Sequence, residues 1–325
     1  MQPKIYPSVQ AFFHNILDYA GLFPPASLNL KDSFENYLEY MQSKESWMLS
    51  KFICPINKTK ELQLILPSGN SSEKIRLSLL ASPAISANEF LTNFAQELSD
   101  FVNLDAGLHD KCSLETIELK IPEDLLNADS KNKITEFIDG ISSTIKMNFD
   151  HKVFIFCEIP ASGDIEKNMK QVIPAINIHN ENFDDAGFKL RTGGTASTEI
   201  PQSKTIVSAI RECLDHKVVL KFTAGMHHPF RHHDKLLNAK MHGFINVFGA
   251  GILAFRHAIS DHELRDMIDD ENSENFIFND ESFEWKGWIS DTKEIHGARN
   301  GLVISYGSCS FSEPTDDLKE LKFLY

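Results

Sequence analysis

The sequence predicts an α/β protein whose core is a (β/α)8 TIM barrel over residues 1–268, with a C-terminal extension over 269–325 packed on it. Three observations predict this. Short apolar runs rich in β-branched and aromatic residues recur eight times and end at Pro, Gly or Ser, as buried strands do. Polar turns and amphipathic stretches separate the runs, the alternation of a parallel sheet covered by helices, and eight strands close a barrel. The length of 325 residues suits one barrel of about 250 residues with additions. The same alternation also permits a doubly wound open sheet, the second reading.

Taken in order, strands are predicted at Tyr19–Phe23, Met48–Cys54, Arg76–Ala81, Thr116–Ile121, Lys152–Ile159, Gly187–Arg191, Val218–Thr223 and Phe244–Phe248. Helices are predicted at Lys31–Gln42, Ala87–Val102, Lys131–Lys146, Ser203–Asp215 and Ile252–Ile268. The first helix carries Phe34, Leu38 and Met41 on one stripe of 3.6-residue period. From Asp269 the alternation stops. DDENSENFIFNDESFEWKGW reads as an acidic, aromatic-studded addition in which Trp285 and Trp288 dock on the barrel.

Composition narrows the function classes. With 42% apolar and 24% charged residues the chain has the balance of an ordinary globular protein. A formal net charge of −14 opposes a general affinity for nucleic acid or anionic membrane. MQPKIYPSVQAFF lacks the apolar core of a signal peptide, and no window approaches the roughly 18 apolar residues of a membrane span. Five scattered cysteines without a CxxC fit a reducing cytoplasm and oppose a disulfide framework. The expected setting is cytoplasmic, and the expected partner is a small molecule, neutral or anionic. No cofactor is implied, and assembly into a homo-oligomer stays open.

In a barrel the chemistry sits at the carboxyl ends of the strands. There KVFIFCEIP carries Glu158, GFKLRTGG carries Lys189 and Arg191 on one face, VVLKFTAG carries Lys221 and Thr223, and ETIELKIP carries Glu118. Adjacent strands lie about 4.8 Å apart, so Glu158, Lys189 and Lys221 are expected to form a row. Two close ammoniums repel and burial favours the neutral amine, so one lysine pKa is expected to fall. A neutral amine suits Schiff-base chemistry, and a neighbouring carboxylate can move its protons. A buried ion network is the other reading.

The turns offer binding groups. RTGGT, with Thr192, Gly193 and Gly194, and FGAGI could each present backbone N–H groups to a phosphate, or be ordinary turn punctuation. Asn246, inward on the predicted eighth strand, would bond substrate or satisfy core polar groups. MHHPFRHHD allows three readings. His227 and His228, with Arg231, contact an anion at the barrel mouth; or the histidines hold a metal with Asp234 and Glu158; or the segment is a solvated turn. Cys309 reads as a packed residue, because no paired base is visible along the chain.

These strand ends resemble those of the deoxyribose-phosphate aldolase family, class I aldolases on a (β/α)8 barrel. LDYAGLF sets Asp18 at the aspartate of that family's first strand, and TIELKIP sets Glu118 at its proton-relaying aspartate. KLRTGG aligns with the family's K-T-S-T-G and offers Lys189 as the Schiff-base lysine. LKFTAG aligns with V-K-A-S-G-G and offers Lys221 as the second lysine, which lowers the pKa of the first. The chain departs at Arg191, where the family has a small residue, and at the histidine-rich loop. Through LDYAGLFPPA, KLRTGG, MHHP, HGFINV and YGSCSFSEP it also looks like an uncharacterised bacterial β/α-barrel family, which implies no defined reaction.

The expectation that follows is an enzyme, a class I aldolase-like lyase forming an imine on Lys189 with a small carbonyl compound, phosphorylated or not. Lys221, Glu118, Glu158 and Asp18 would handle charge and protons. A metal-dependent lyase, isomerase or hydrolase using the His227–His233 loop, and a non-catalytic metabolite-binding barrel, are the alternatives.

Overall fold

Eight parallel strands close into a ring: β1 (Leu17–Tyr19), β2 (Leu49–Pro55), β3 (Ile75–Leu80), β4 (Cys112–Lys120), β5 (Phe154–Glu158), β6 (Ala186–Arg191), β7 (Leu220–Thr223) and β8 (Val303–Ser308). Each strand pairs with the next, and β8 returns to β1 through Leu17 opposite Tyr306 and Tyr19 opposite Ser308. The computed structural model describes residues 4–67, 74–104, 106–126, 131–160 and 163–325. Among them no helix is long and apolar enough to cross a membrane.

Six strands coincide with predicted ones to within a few residues at their ends, while the first, Leu17–Tyr19, shares only Tyr19 with its predicted span Tyr19–Phe23. The eighth does not. Phe244–Arg256 is a helix, with every residue from Phe244 to Ala254 buried. A run buried on every side and apolar but for Asn246 looks like a buried strand in a short window, and only its length of 13 residues marks it as a helix. Two glycines let it press inward. A Cβ on Gly251 would stand 2.4 Å from Val303 of β8, and one on Gly249 would stand 2.4 Å from Met267.

The barrel is therefore completed from within residues 269–325, the stretch expected to be an extension. That stretch also forms a three-stranded antiparallel sheet of Phe276–Phe278, Ser282–Trp285 and Trp288–Asp291. Phe278 and Phe283 pack on Phe12 of the first helix, Pro7–Phe13. Trp285 is buried and donates to Asp270 at 3.0 Å. A single helix over Ile252–Ile268 does not form either. Ser260 and Glu263 make a reciprocal capping box that starts a new helix, Asp261–Ile268. The helix Ile165–Asn180 between β5 and β6 was not anticipated; Pro174 inside it interrupts the helical signal.

Strand parity sorts the barrel. Ile117, Leu119, Phe188, Leu190, Leu220 and Phe222 belong to the apolar core. Asp18, Ser78, Glu118, Glu158, Lys189, Lys221 and Ser305 alternate with such residues and are buried as well.

Candidate active site

The expected row exists. Glu158 stands opposite Lys189, and Lys189 opposite Lys221, on three successive strands. Glu118 stands opposite Phe156, two residues below Glu158. Strand tilt and stagger in a closed barrel bring such offset positions into one layer. Glu118 thereby bridges the two amines: Lys221 Nζ donates to its Oε1 at 2.6 Å, and Lys189 Nζ lies 2.7 Å from its Oε2.

From that bridge the network runs both ways. On the inner side Lys221 Nζ donates to Asp18 Oδ2 at 2.5 Å, and Ser305 Oγ donates to the same oxygen at 2.7 Å. Asp18 Oδ1 accepts from the Lys51 backbone N–H at 3.0 Å, with Lys51 Nζ 3.8 Å away. On the outer side Lys189 Nζ lies 2.7 Å from Glu158 Oε2, and Arg191 Nε is 3.7 Å from Glu158 Oε1. Ser78 Oγ donates to Glu118 Oε1 at 2.6 Å. Three carboxylates thus face four cations. Lys221 is fully enclosed, Lys189 is 4% exposed, and the Arg191 side chain, 31% exposed, opens the network to solvent. Lys189 is the partner of Glu118 Oε2, as Lys221 and Ser78 are of Oε1.

The amines do not behave as expected. Burial alone would lower both lysine pKa values, but Glu118 and Glu158 hold Lys189, and Asp18 and Glu118 hold Lys221, above the ordinary value. The carboxylates answer in kind. Burial would raise Glu118, yet Lys189 and Lys221 bring it down to about 2, and Asp18 is likewise held low by Lys221 and Lys51. Burial also opposes the ionised form of Glu158, which Lys189 outweighs. The expectation of a depressed amine fails because carboxylates are interleaved between the ammoniums, so attraction replaces repulsion. At rest the site is an ion network with both lysines charged. It remains a chain of adjacent donors and acceptors along which a proton can move.

The other predicted residues lie around this network. Thr192 is buried and donates to the carbonyls of Thr223 and Ala224, tying β6 to β7. Gly193 serves close packing, since a Cβ there would lie 2.7 Å from Gly225 Cα. Beside Gly194, Glu199 accepts from the backbone N–H groups of Thr195 and Ala196, so a side chain occupies the nest expected to take a phosphate. FGAGI is within the helix Phe244–Arg256 and is no phosphate loop. Asn246 is correspondingly not on a strand. Its amide donates to Met267 and Asp270 carbonyls, and its oxygen accepts from Arg231 N–H, which leaves it a backbone staple. Thr223 sits at the top of β7, opposite Arg191 and Gly307.

The histidine loop splits up. His227 Nδ1 bonds Glu313 at 2.8 Å, His228 Nδ1 bonds Asp317 at 2.7 Å, and His232 bonds the Phe230 carbonyl. An anion at His227 or His228 would sit beside Glu313 and Asp317. Among the described residues no three His, Cys, Asp or Glu side chains converge as metal ligands would. Sequence reasoning missed Lys51, Ser78 and Ser305. Serines carry no strand-end signal, and only the inward parity of LSLL and VISYGS points to them. It also missed that Cys309 has a partner, for His227 Nε2 lies 3.9 Å from its sulfur.

No family model matches the chain, and no curated protein does either.

Proposed function

We propose that the barrel is a lyase of the class I aldolase kind, forming an imine between Lys189 and a small carbonyl compound. The observation that carries this reading is the position of Lys189. Its amine is the outer of two, 2.7 Å from a carboxylate on either side. Addition to a carbonyl needs the free amine, and Glu158 or Glu118 takes the proton that Lys189 must shed. Loss of water from the carbinolamine then uses the same proton. Lys221, enclosed between Asp18 and Glu118, keeps Glu118 ionised for that exchange. The resemblance of KLRTGG and LKFTAG to the aldolase strands supports the same assignment. Arg191 at the mouth supports a substrate bearing a phosphate or carboxylate, and five unpaired cysteines support a cytoplasmic setting.

The test is borohydride reduction in the presence of a panel of small aldehydes and ketones, with and without phosphate, followed by intact mass. A covalent adduct with one member that Lys189→Met abolishes is expected. Absence of any adduct across the panel would remove the imine from the account. A second reading, a barrel that binds a metabolite without turnover, is favoured by the raised pKa of both amines. It predicts a ligand-induced rise in Tm with no adduct.

A further inference from the structure

All five cysteines are buried, Cys309 at 8% exposure included. Cys54, Cys112, Cys157 and Cys213 are at most 5% exposed. Burial pushes the thiols of Cys54 and Cys112 up to about 12, and those of Cys157 and Cys213 upward too. Cys309 is placed differently. It follows the last residue of β8 and lines a cavity of about 340 Å³ together with Tyr19, Asn36, Tyr40, Ser310 and Glu313. This cavity is separate from the lysine network. Asp18 points into the barrel, so its neighbour Tyr19 points outward, against Tyr37 and Tyr40 of the helix Leu30–Met41.

Beside the thiol stands an ordered relay. His227 Nε2 lies 3.9 Å from Cys309 Sγ, and Nδ1 of the same ring lies 2.8 Å from Glu313 Oε2. One ring nitrogen is therefore held by a carboxylate while the other faces the sulfur. That is the sequence of nucleophile, base and orienting acid seen in thiol and hydroxyl acyl transfer. The sulfur–nitrogen distance is long for a hydrogen bond, as such pairs are before substrate draws them together. Asn36, Tyr19 and Tyr40 also line the cavity, and the Asn36 amide donates to the Tyr19 hydroxyl at 3.4 Å.

The geometry points to a second reactive centre, Cys309–His227–Glu313, that takes the acyl group of a small ester or thioester in this cavity. Against burial, Cys309 and Glu313 raise the His227 pKa to about 9, so it is the deprotonated ring, populated as pH rises toward that value, that acts. The Cys309 sulfur bonds the carbonyl carbon, and the thiol proton passes to Nε2 of that ring. The ester C–O or thioester C–S bond breaks, and His227 returns the proton to the departing alkoxide or thiolate. Water then attacks the acyl-cysteine and gives its proton to His227. The thiol re-forms and a carboxylic acid leaves, so no oxidant or reductant is required. Cys309 is the catalytic nucleophile and His227 the base. Glu313 is a positioning residue.

The probe is p-nitrophenyl acetate, with nitrophenol release followed over time and the acetyl group located by peptide mass mapping. One equivalent of rapid release with the acetyl group on Cys309 is expected. His227→Gln should slow acylation by about 100-fold or more, the usual contribution of a general base. Glu313→Gln should lower the maximal acylation rate without changing the half-saturating ester concentration, and Glu313→Asp should restore part of it. A role confined to docking the loop would leave those rates unmoved in any variant that stays folded by circular dichroism. The proposal is overturned if the acetyl group settles on another residue. It is equally overturned if Cys309 in folded His227→Gln or Glu313→Gln is acylated as fast as in the parent. Should His227→Gln not fold, the mapping on the parent and the Glu313 pair decide the matter.

Discussion

Glu118→Gln keeps the shape of the side chain and removes the one charge shared by both lysines. Lys221 and Lys189 lie 2.6 and 2.7 Å from its two oxygens. At an effective dielectric of about 20, each contact is worth about 6 kcal/mol of gross attraction. Most of that offsets the several kcal/mol of desolvation carried by each buried ion. Breaking a buried pair from one side leaves a net loss of about 3–5 kcal/mol. Unfolding a chain of 325 residues carries an entropy of about 0.7 kcal/mol per kelvin. Tm should therefore fall by about 4–7 °C in a calorimetric scan at pH 7. Added salt should barely alter that drop, because the pairs are enclosed. Lys152→Gln, which breaks an exposed pair with Asp184, is the control and should cost under about 1 kcal/mol. A Glu118→Gln protein melting within a degree of its parent would refute the bridge.

Three further outcomes follow from the same geometry. Asp18, Glu118 and Glu158 have depressed pKa values, that of Glu118 about 2. Their stabilisation is present above the ordinary carboxylate pKa of about 4 and is lost as pH falls through the native values. Tm should hold from pH 8 to 5 and drop steeply toward pH 2, less steeply in Glu118→Gln. Because the Lys189 pKa is raised, its free amine is scarce at pH 7, and reductive trapping should speed up about tenfold per unit from pH 7 to 9; a plateau near neutrality would mean a depressed amine instead. Asn246→Ala leaves the Met267 and Asp270 carbonyls and the Arg231 N–H without their side-chain partner. Urea denaturation should show a loss of about 2–4 kcal/mol, the scale of buried polar groups left unsatisfied.

Much of the barrel was legible because buried strands are short, apolar and punctuated. Parity then put Glu158, Lys189 and Lys221 side by side without any tertiary information. What failed had a physical cause in each case. Phe244–Ala254 is buried all round and apolar but for Asn246, so its periodicity is silent, and it displaced Val303–Ser308 as the closing strand. Glu118 is two residues out of register with Glu158, and only the stagger of a closed barrel reveals it between the lysines. The direction of the amine shifts went astray for the same reason. Counting two ammoniums in a row omitted the carboxylate threaded between them. His227 and Cys309 are 82 positions apart. Their pairing depends on where β7 and β8 end on the rim, which no local motif records.

The imine is tested most directly by peptide mapping of borohydride-reduced protein carrying a trapped carbonyl ligand. The account predicts one modified peptide, Lys189 bearing the added mass at Nζ, with Lys221 and the surface lysines unmodified. Label on Lys221 alone, or spread over exposed lysines and unchanged in Lys189→Met, would contradict it.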